Sequence, residues 1–290
     1  ALVWKTRGRQ FDSASGHKMQ YKKYHLKRLY KELKTNSDFS DSSSNEYKYL
    51  NVVNQAINDS KVFENFRSNT GYRDILEHVS DSLAIKYYEN IRKQLTHSEI
   101  IEFCKVIKNI GNPPIVSIND TFFNPTSLRY LNVALDIRSK FSNNVFENIV
   151  EIGAGYGGQA LMLENFFKIK NYTFIDLPEV NTLIEKFLSS HKVNFNPNFS
   201  TIEDLRGSSK FDLLISNYAF SELPKKIQLV AINKIINNSS NGYMIVNNFN
   251  KITFRYMSQK QYVKNIKNLE IHEEVPNSYI FNKLLIFKNK

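Results

Sequence analysis

The run Ile149-Val150-Glu151-Ile152-Gly153-Ala154-Gly155-Tyr156-Gly157-Gly158 has the residue types and spacing most able to do chemistry in this chain. Apolar residues lead into a glycine-rich turn, and Gln159-Ala160-Leu161-Met162-Leu163 then opens a helical pattern. Such a layout sets backbone N–H groups and a helix N-terminus beside a ligand, with no side chains in the way. The string fits both G-x-G-x-G and G-x-G-x-x-G, so alone it selects no ligand. A second apolar run, Tyr172-Thr173-Phe174-Ile175, ends in Asp176, 23 residues after Gly153. An acid there can accept hydrogen bonds from both hydroxyls of a ribose, or merely cap the helix that starts near Glu179. A nucleoside cofactor is the first expectation.

Other polar residues fall where chain elements end. Arg129 and Tyr130 follow the turn Asn124-Pro125 at the start of a helical run. An Arg there can pair with a cofactor carboxylate or an anionic acceptor, or lie on the surface beside a buried Tyr. Asn247 and Asn248 close an apolar strand and can hydrogen-bond acceptor hydroxyls. His272, Glu273 and Glu274 cluster near the end of a late strand, where alternation puts His272 and Glu274 on one face. No Asp/Glu/His group at ligand spacing accompanies them, so no metal is expected.

The elements that must position these residues change character along the chain. Residues 1–18 show no period and precede Met19; they read as an added leader or part of a longer chain. Residues 19–35 read as a helix and 35–45 as a polar linker. Helical spacing then recurs, as in Tyr47, Leu50, Val53 and Ile57, or Leu83, Tyr87, Ile91 and Leu95. A helical N-terminal region over 19–120, serving as a lid, substrate platform or dimer interface, is thus expected before a catalytic domain over 121–290. Strands are expected near 148–152, 171–175, 199–203, 211–216, 241–247, 269–274 and 280–287. Helices are expected near 158–168, 179–190 and 223–238. The last two strands are too close for a crossover helix, so the final one should be antiparallel. The fold class is α/β: a doubly wound, mostly parallel seven-stranded sheet with a helical N-terminal region.

Composition narrows the function. The 290 residues are 41% hydrophobic, which is ample for a sizeable core. The single cysteine, Cys104, rules out an internal disulfide and sits on an apolar helix face, so it reads as packing. No apolar run reaches the roughly 20 residues of a membrane span, and cytoplasm is the default compartment. The net charge of +11 is uneven: residues 1–36 hold ten basic and two acidic side chains, the other 254 hold 29 and 26. The sheet region is nearly neutral, which argues against a nucleic-acid partner.

Together the strings VEIGAGYGGQALML, FIDLPEV and FDLLISNYAFSEL resemble class I S-adenosylmethionine-dependent methyltransferases, with a seventh strand reached by a hairpin. More narrowly they resemble bacterial putative sugar O-methyltransferases, over roughly residues 120–290. The resemblance implies S-adenosylmethionine as cofactor and S-adenosylhomocysteine as product. It implies that Glu151 holds the glycine turn and receives the cofactor amine. Gly153, Ala154, Gly155, Tyr156 and Gly157 would form the cradle, Asp176 the ribose acceptor and Leu177 an adenine wall. Glu203 or Asp204 would face the adenine amino group, and Asn217 and Tyr218 would line the methyl-transfer cleft. Arg129, Tyr130, Tyr218 and Asn248 are the expected acceptor contacts.

A sugar hydroxyl is a poor nucleophile at neutral pH, so a base should help. Glu222 is the first candidate and His272 the second. The bland readings are a first-turn helix acid and an ordinary surface or core histidine. The expected acceptor is a sugar or sugar phosphate for surface polysaccharide, with a homodimer as a further expectation. Four rivals stand: a methyltransferase on another small anionic metabolite, an NAD-dependent oxidoreductase read from Gly153, Gly155 and Gly158, a methyltransferase acting on nucleic acid, and a cofactor-binding scaffold that pairs with an active subunit. Amino-methylating DNA enzymes show prolines where this chain has Asn217-Tyr218-Ala219-Phe220.

Overall fold

A computed structural model describes residues 44–141, 145–205, 209–247 and 257–289. The expected leader, the helix over 19–35, most of the polar linker and Asn248 lie outside these residues. Ser44 and Asn45, read as the linker's end, already belong to helix α1, Ser44–Asn58.

Five helices lead the described chain. After α1 come α2, Ser60–Phe63, and α3, Thr70–Leu76, with Asp59 and Asn69 capping their first N–H groups. Helix α4, Asp81–Ile91, is capped by Ser80 and buries Ala84, Tyr87, Tyr88 and Ile91. In α5, His97–Lys105, Thr96 and Glu99 form a reciprocal capping box. A short antiparallel hairpin, β1 Val116–Ile118 and β2 Thr121–Phe123, follows. Asn119 and Asp120 turn it at φ 50° and 59°, the geometry of a tight hairpin turn that Asn and Asp tolerate. This hairpin was not expected from the sequence.

Helix α6, Pro125–Lys140, starts at Asn124, whose side chain accepts from Ser127 N, with Pro125 in its first turn. It is buried along most of its length. Next come β3 Val145–Ile152, α7 Gly158–Glu164, β4 Lys168–Ile175, α8 Pro178–Ser189 and β5 Asn196–Ser200. Strand β6 Phe211–Asn217, helix α9 Lys225–Lys234 and strand β7 Ser239–Val246 follow. Helix α10 Gln259–Asn265 and strands β8 Leu269–Glu273 and β9 Lys283–Lys288 close the chain.

The seven strands pair in the order β5-β4-β3-β6-β7-β9-β8. Strands β3 to β7 are parallel, and β9 pairs antiparallel with both β7 and β8. This is the doubly wound, mostly parallel sheet expected from the sequence, with its last strand antiparallel. The central strands are near-continuous apolar runs because helices cover both faces. Several boundaries moved: β3 starts earlier, at Val145, β4 earlier, at Lys168, and β9 later, at Lys283. Helix α7 ends at Glu164, since β4 already begins at Lys168. Strand β5 lies at 196–200 rather than 199–203: Pro197 is tolerated because β5 is an edge strand.

Among the described residues no helix is long and apolar enough to cross a membrane. No group of three or more His, Cys, Asp or Glu among them could hold a metal. Cys104 is half-buried, and burial pushes its thiol up to about 12.

Candidate active site

Parallel strands β3, β4 and β6 all end at one edge, where open α/β sheets take ligands. There the chain leaves β3 through a glycine turn pinned to β4. Gly153 N donates to Ile175 O at 3.0 Å, and Gly155 N donates to Asp176 Oδ2 at 3.4 Å. Gly153 has φ 77°, and a Cβ there would stand 2.1 Å from the Ala219 Cβ. Only glycine fits both the dihedral and the approach. Asp176 Oδ1 also accepts from Leu177 N at 2.9 Å, so the carboxylate is oriented by two backbone N–H groups.

A cleft opens on this edge. Its floor is Glu151, Gly153, Ala154 and Gly155, and one end is walled by Asp176, Leu177 and Ile202. Asn217, Tyr218 and Glu222 form the opposite wall, and Arg129 and Tyr130 come in from α6. The helical region closes the top with Tyr49, Ile75, Leu76 and His78. The empty space between these walls, taken out to the open mouth, is about 960 Å³.

The top is held by a buried ion pair that sequence reasoning missed. Arg67 and Glu77 pair at 2.5 Å with both side chains essentially sealed from solvent. Arg67 Nη2 further donates to Asn124 Oδ1 at 3.0 Å and to Tyr156 Oη at 2.8 Å. Asn124 Nδ2 returns to Glu77 Oε2 at 3.2 Å. One network thus joins α3, the start of α6 and the glycine turn. The partners are 10 to 89 residues apart in the chain, so no local pattern could reveal them.

Glu151 is buried and accepts from Tyr172 Oη at 2.7 Å. Burial is the main cause that pushes its carboxyl up to about 7; the Tyr172 bond opposes this and Asp176 adds to it. Its folded value therefore lies above its unfolded one. The stabilisation from the neutral form is fully present below the unfolded carboxylate range and is lost as pH rises through about 7. Glu151→Gln should flatten the fall in thermal midpoint of the ligand-free protein between roughly pH 5 and 8. A slope as steep as that of the parent would rule Glu151 out as its source.

The wall opposite Asp176 is polar and tightly supported. Tyr218 sits at φ 69°, a conformation rare for a bulky residue and worth attention at a site. Its hydroxyl donates to Glu274, which also accepts from Ser278 N at 3.1 Å and Asn282 Nδ2 at 3.1 Å. Glu222 is buried and accepts from Asn247 Nδ2. Asn217 Nδ2 donates to Gln159, leaving its Oδ1 without a hydrogen-bond partner among the described residues.

The structure therefore brings together Glu151, Gly153, Ala154, Gly155, Asp176, Leu177, Asn217, Arg129, Tyr130, Tyr218 and Glu222 on one cleft. Four expected residues stand elsewhere. Tyr156 points into the core, fully buried against Arg67 and Phe187. Gly157 precedes α7 under the Ile184 side chain, 3.0 Å from where its Cβ would be. Glu203 does not line the cleft, although its neighbour Ile202 does. His272 is on β8 at the sheet's far edge, its side chain 39% exposed and 3.0 Å from Glu270, so it faces no cleft group. Glu274, just past the end of β8, is by contrast buried and accepts from the Tyr218 hydroxyl.

No family model and no curated protein matches this chain. Solved structures similar to it include the N-methyltransferase NodS from Bradyrhizobium japonicum WM9, at 16% identity and TM-score 0.43, covering 56% of this chain and 94% of that one. Another is the N-terminal domain of EvdMO1, solved in the presence of SAH and D-fucose, at 12% identity and TM-score 0.46, covering 68% and 98%. A third is a ribosomal protein L11 methylase from Lactobacillus delbrueckii subsp. bulgaricus, at 14% identity and TM-score 0.41, covering 56% and 80%. All three scores are low, and the function of this chain is read from its cleft.

Proposed function

We propose that the chain is an S-adenosylmethionine-dependent O-methyltransferase acting on a sugar or sugar-linked metabolite of surface-polysaccharide biosynthesis. The observation that carries the cofactor reading is where the cleft opens. It opens on Gly153, Gly155, Asp176 and Leu177, and not on the first turn of α7. A dinucleotide would need that helix N-terminus for its pyrophosphate. Here Gly158 and Gln159 are buried, and a Cβ on Gly158 would meet the rings of Tyr130 and Tyr156 at 2.6 Å.

The residues present fit an adenosyl sulfonium. Asp176 is already oriented to accept from ribose hydroxyls, and Leu177 and Ile202 supply apolar walls for the adenine. Glu151 and the free Oδ1 of Asn217 suit a positively charged amino-acid group. When bound, the donor supplies an electrophilic methyl group. The protein supplies alignment, exclusion of water by the helical top, and a base. Glu222 is the buried acid on the acceptor side and would take the proton of the acceptor hydroxyl. The polar array of Asn217, Tyr218 and Glu222 supports a hydroxyl-bearing acceptor; the sugar itself rests on the sequence resemblance.

S-adenosylhomocysteine should raise the thermal midpoint of the pure protein, and NAD should not. The reverse result overturns the reading. The acceptor is then sought as the nucleotide sugar that drives S-adenosylhomocysteine release. A bound cation beside Glu151 favours its ionised form, so donor affinity should rise with pH through about 7.

Asp176→Asn keeps the acceptor for Leu177 N but removes the charge that strengthens bonds to the ribose. Charged hydrogen bonds contribute about 1.5–3 kcal/mol, so S-adenosylhomocysteine should bind roughly 10- to 100-fold more weakly by calorimetry. Unchanged affinity would reduce Asp176 to a brace for the glycine turn.

A further inference from the structure

Two arginines are buried beside the cleft, and they are treated in opposite ways. Arg67 is sealed and fully engaged: Glu77, Asn124, Tyr156 and the Ile110 carbonyl take its N–H groups. Arg129, 7% exposed, faces the cleft from the first turns of α6. Its Nε has no hydrogen-bond partner among the described residues. The Tyr130 ring centroid lies 5.4 Å from its Cζ, and the phenols of Tyr218 and Tyr87 are its other close neighbours.

Glu77, the carboxylate that acts on Arg129, is committed elsewhere, as is Glu274 behind Tyr218. Glu77 is held by Arg67 at 2.5 Å and Asn124 at 3.2 Å. Glu274 is held by Tyr218, Ser278 and Asn282. A desolvated guanidinium without a carboxylate on its planar fork is costly to fold around. Burial opposes the charge most strongly, yet the guanidinium stays protonated. The cation is kept in the wall of the cleft, its fork unfilled by any described residue.

We propose that Arg129 is the receptor for an anionic group, a carboxylate or a phosphate, carried into the cleft by a bound molecule. The group belongs either to the amino-acid end of the nucleoside donor or to an acidic acceptor such as a sugar phosphate. The proposal deepens the methyltransferase reading and rests on it only for the choice of probes. A planar fork recognises either anion bidentately, which an ammonium cannot copy.

The test is calorimetry on the full chain, comparing the parent with Arg129→Gln and Arg129→Lys. The probes are S-adenosylhomocysteine, 5′-methylthioadenosine, which lacks the amino-acid carboxylate, and inorganic phosphate added to S-adenosylhomocysteine-saturated protein. If the donor supplies the anion, Gln weakens S-adenosylhomocysteine roughly 10- to 100-fold and leaves methylthioadenosine unchanged. If the acceptor supplies it, both nucleosides bind as before and phosphate binding is lost. Either result supports the receptor. A second readout separates it from a strut: ligand-free Arg129→Gln should melt about 2–4 °C higher, because an uncompensated charge has gone.

Unchanged binding of all three probes in both variants overturns the proposal, and so does a lower midpoint with binding retained. Should the Gln variant not fold, the Lys variant decides: its charge is kept and its fork lost, so binding that equals the parent's overturns the receptor. A parent protein that binds neither nucleoside defeats the donor reading instead. Phosphate that stabilises the ligand-free parent and not Arg129→Gln would then still establish the anion site.

Discussion

Arg67→Met is expected to cost the folded protein about 3–5 kcal/mol, the usual result of removing one partner of a buried ion pair. The cause is what remains. Glu77, 4% exposed, would keep its carboxylate with the Asn124 amide as its remaining side-chain donor among the described residues, and Tyr156 would lose its Arg67 donor. Urea unfolding with an unchanged slope would register the loss as a lower midpoint. Replacing both partners, Arg67→Met with Glu77→Leu, should recover much of it, because no unpaired charge is then left inside. The single variant should also bind S-adenosylhomocysteine more weakly, since Leu76 and His78 of the cleft's top lie beside Glu77. A loss below about 1 kcal/mol would mean that the network is not what holds the helical region down.

Glu222→Gln should lower turnover by roughly 10²- to 10⁴-fold, the range that a positioned base contributes. The substitution is isosteric, and its amide can still meet Asn247, so the 3₁₀ turn Phe220–Glu222 should keep its shape. S-adenosylhomocysteine affinity and the thermal midpoint should therefore stay at parental values while methyl transfer falls. Glu222→Asp, with a shorter reach to the acceptor proton, should recover part of the rate. Turnover undiminished by Gln would reduce Glu222 to a turn residue supporting Asn247, and the proton would have to leave by another route.

The sheet was legible because its signals are local. Strands β3, β4, β6 and β7 carry apolar runs near their ends, and the glycines report dihedrals that other residues avoid. Asp176 and Asn217 could be placed because a strand end in such a sheet is itself a ligand edge. Tyr156 was misread because a residue between two glycines looks like exposed loop. Here the left-handed turns at Gly155 and Gly157 swing its ring inward onto Phe187 and Tyr130 instead. His272 was misread because alternation within β8 gives a face and not a depth, and β8 is an edge strand with no sheet neighbour beyond it. The top of the cleft was out of reach of any periodic pattern, since Tyr49, Leu76 and His78 arrive there by tertiary packing.

The ion-paired top has a consequence for synthesis. Lys186 Nζ donates to the carbonyls of Ala56 and Ile57, across 130 and 129 residues, and Arg67 meets Tyr156 across 89. A nascent chain therefore presents Arg67 and Glu77 long before the ribosome has made the tyrosine and lysine that complete their surroundings. The helices around Arg67 must wait as an unfinished surface, and only the late arrival of the sheet lets them set.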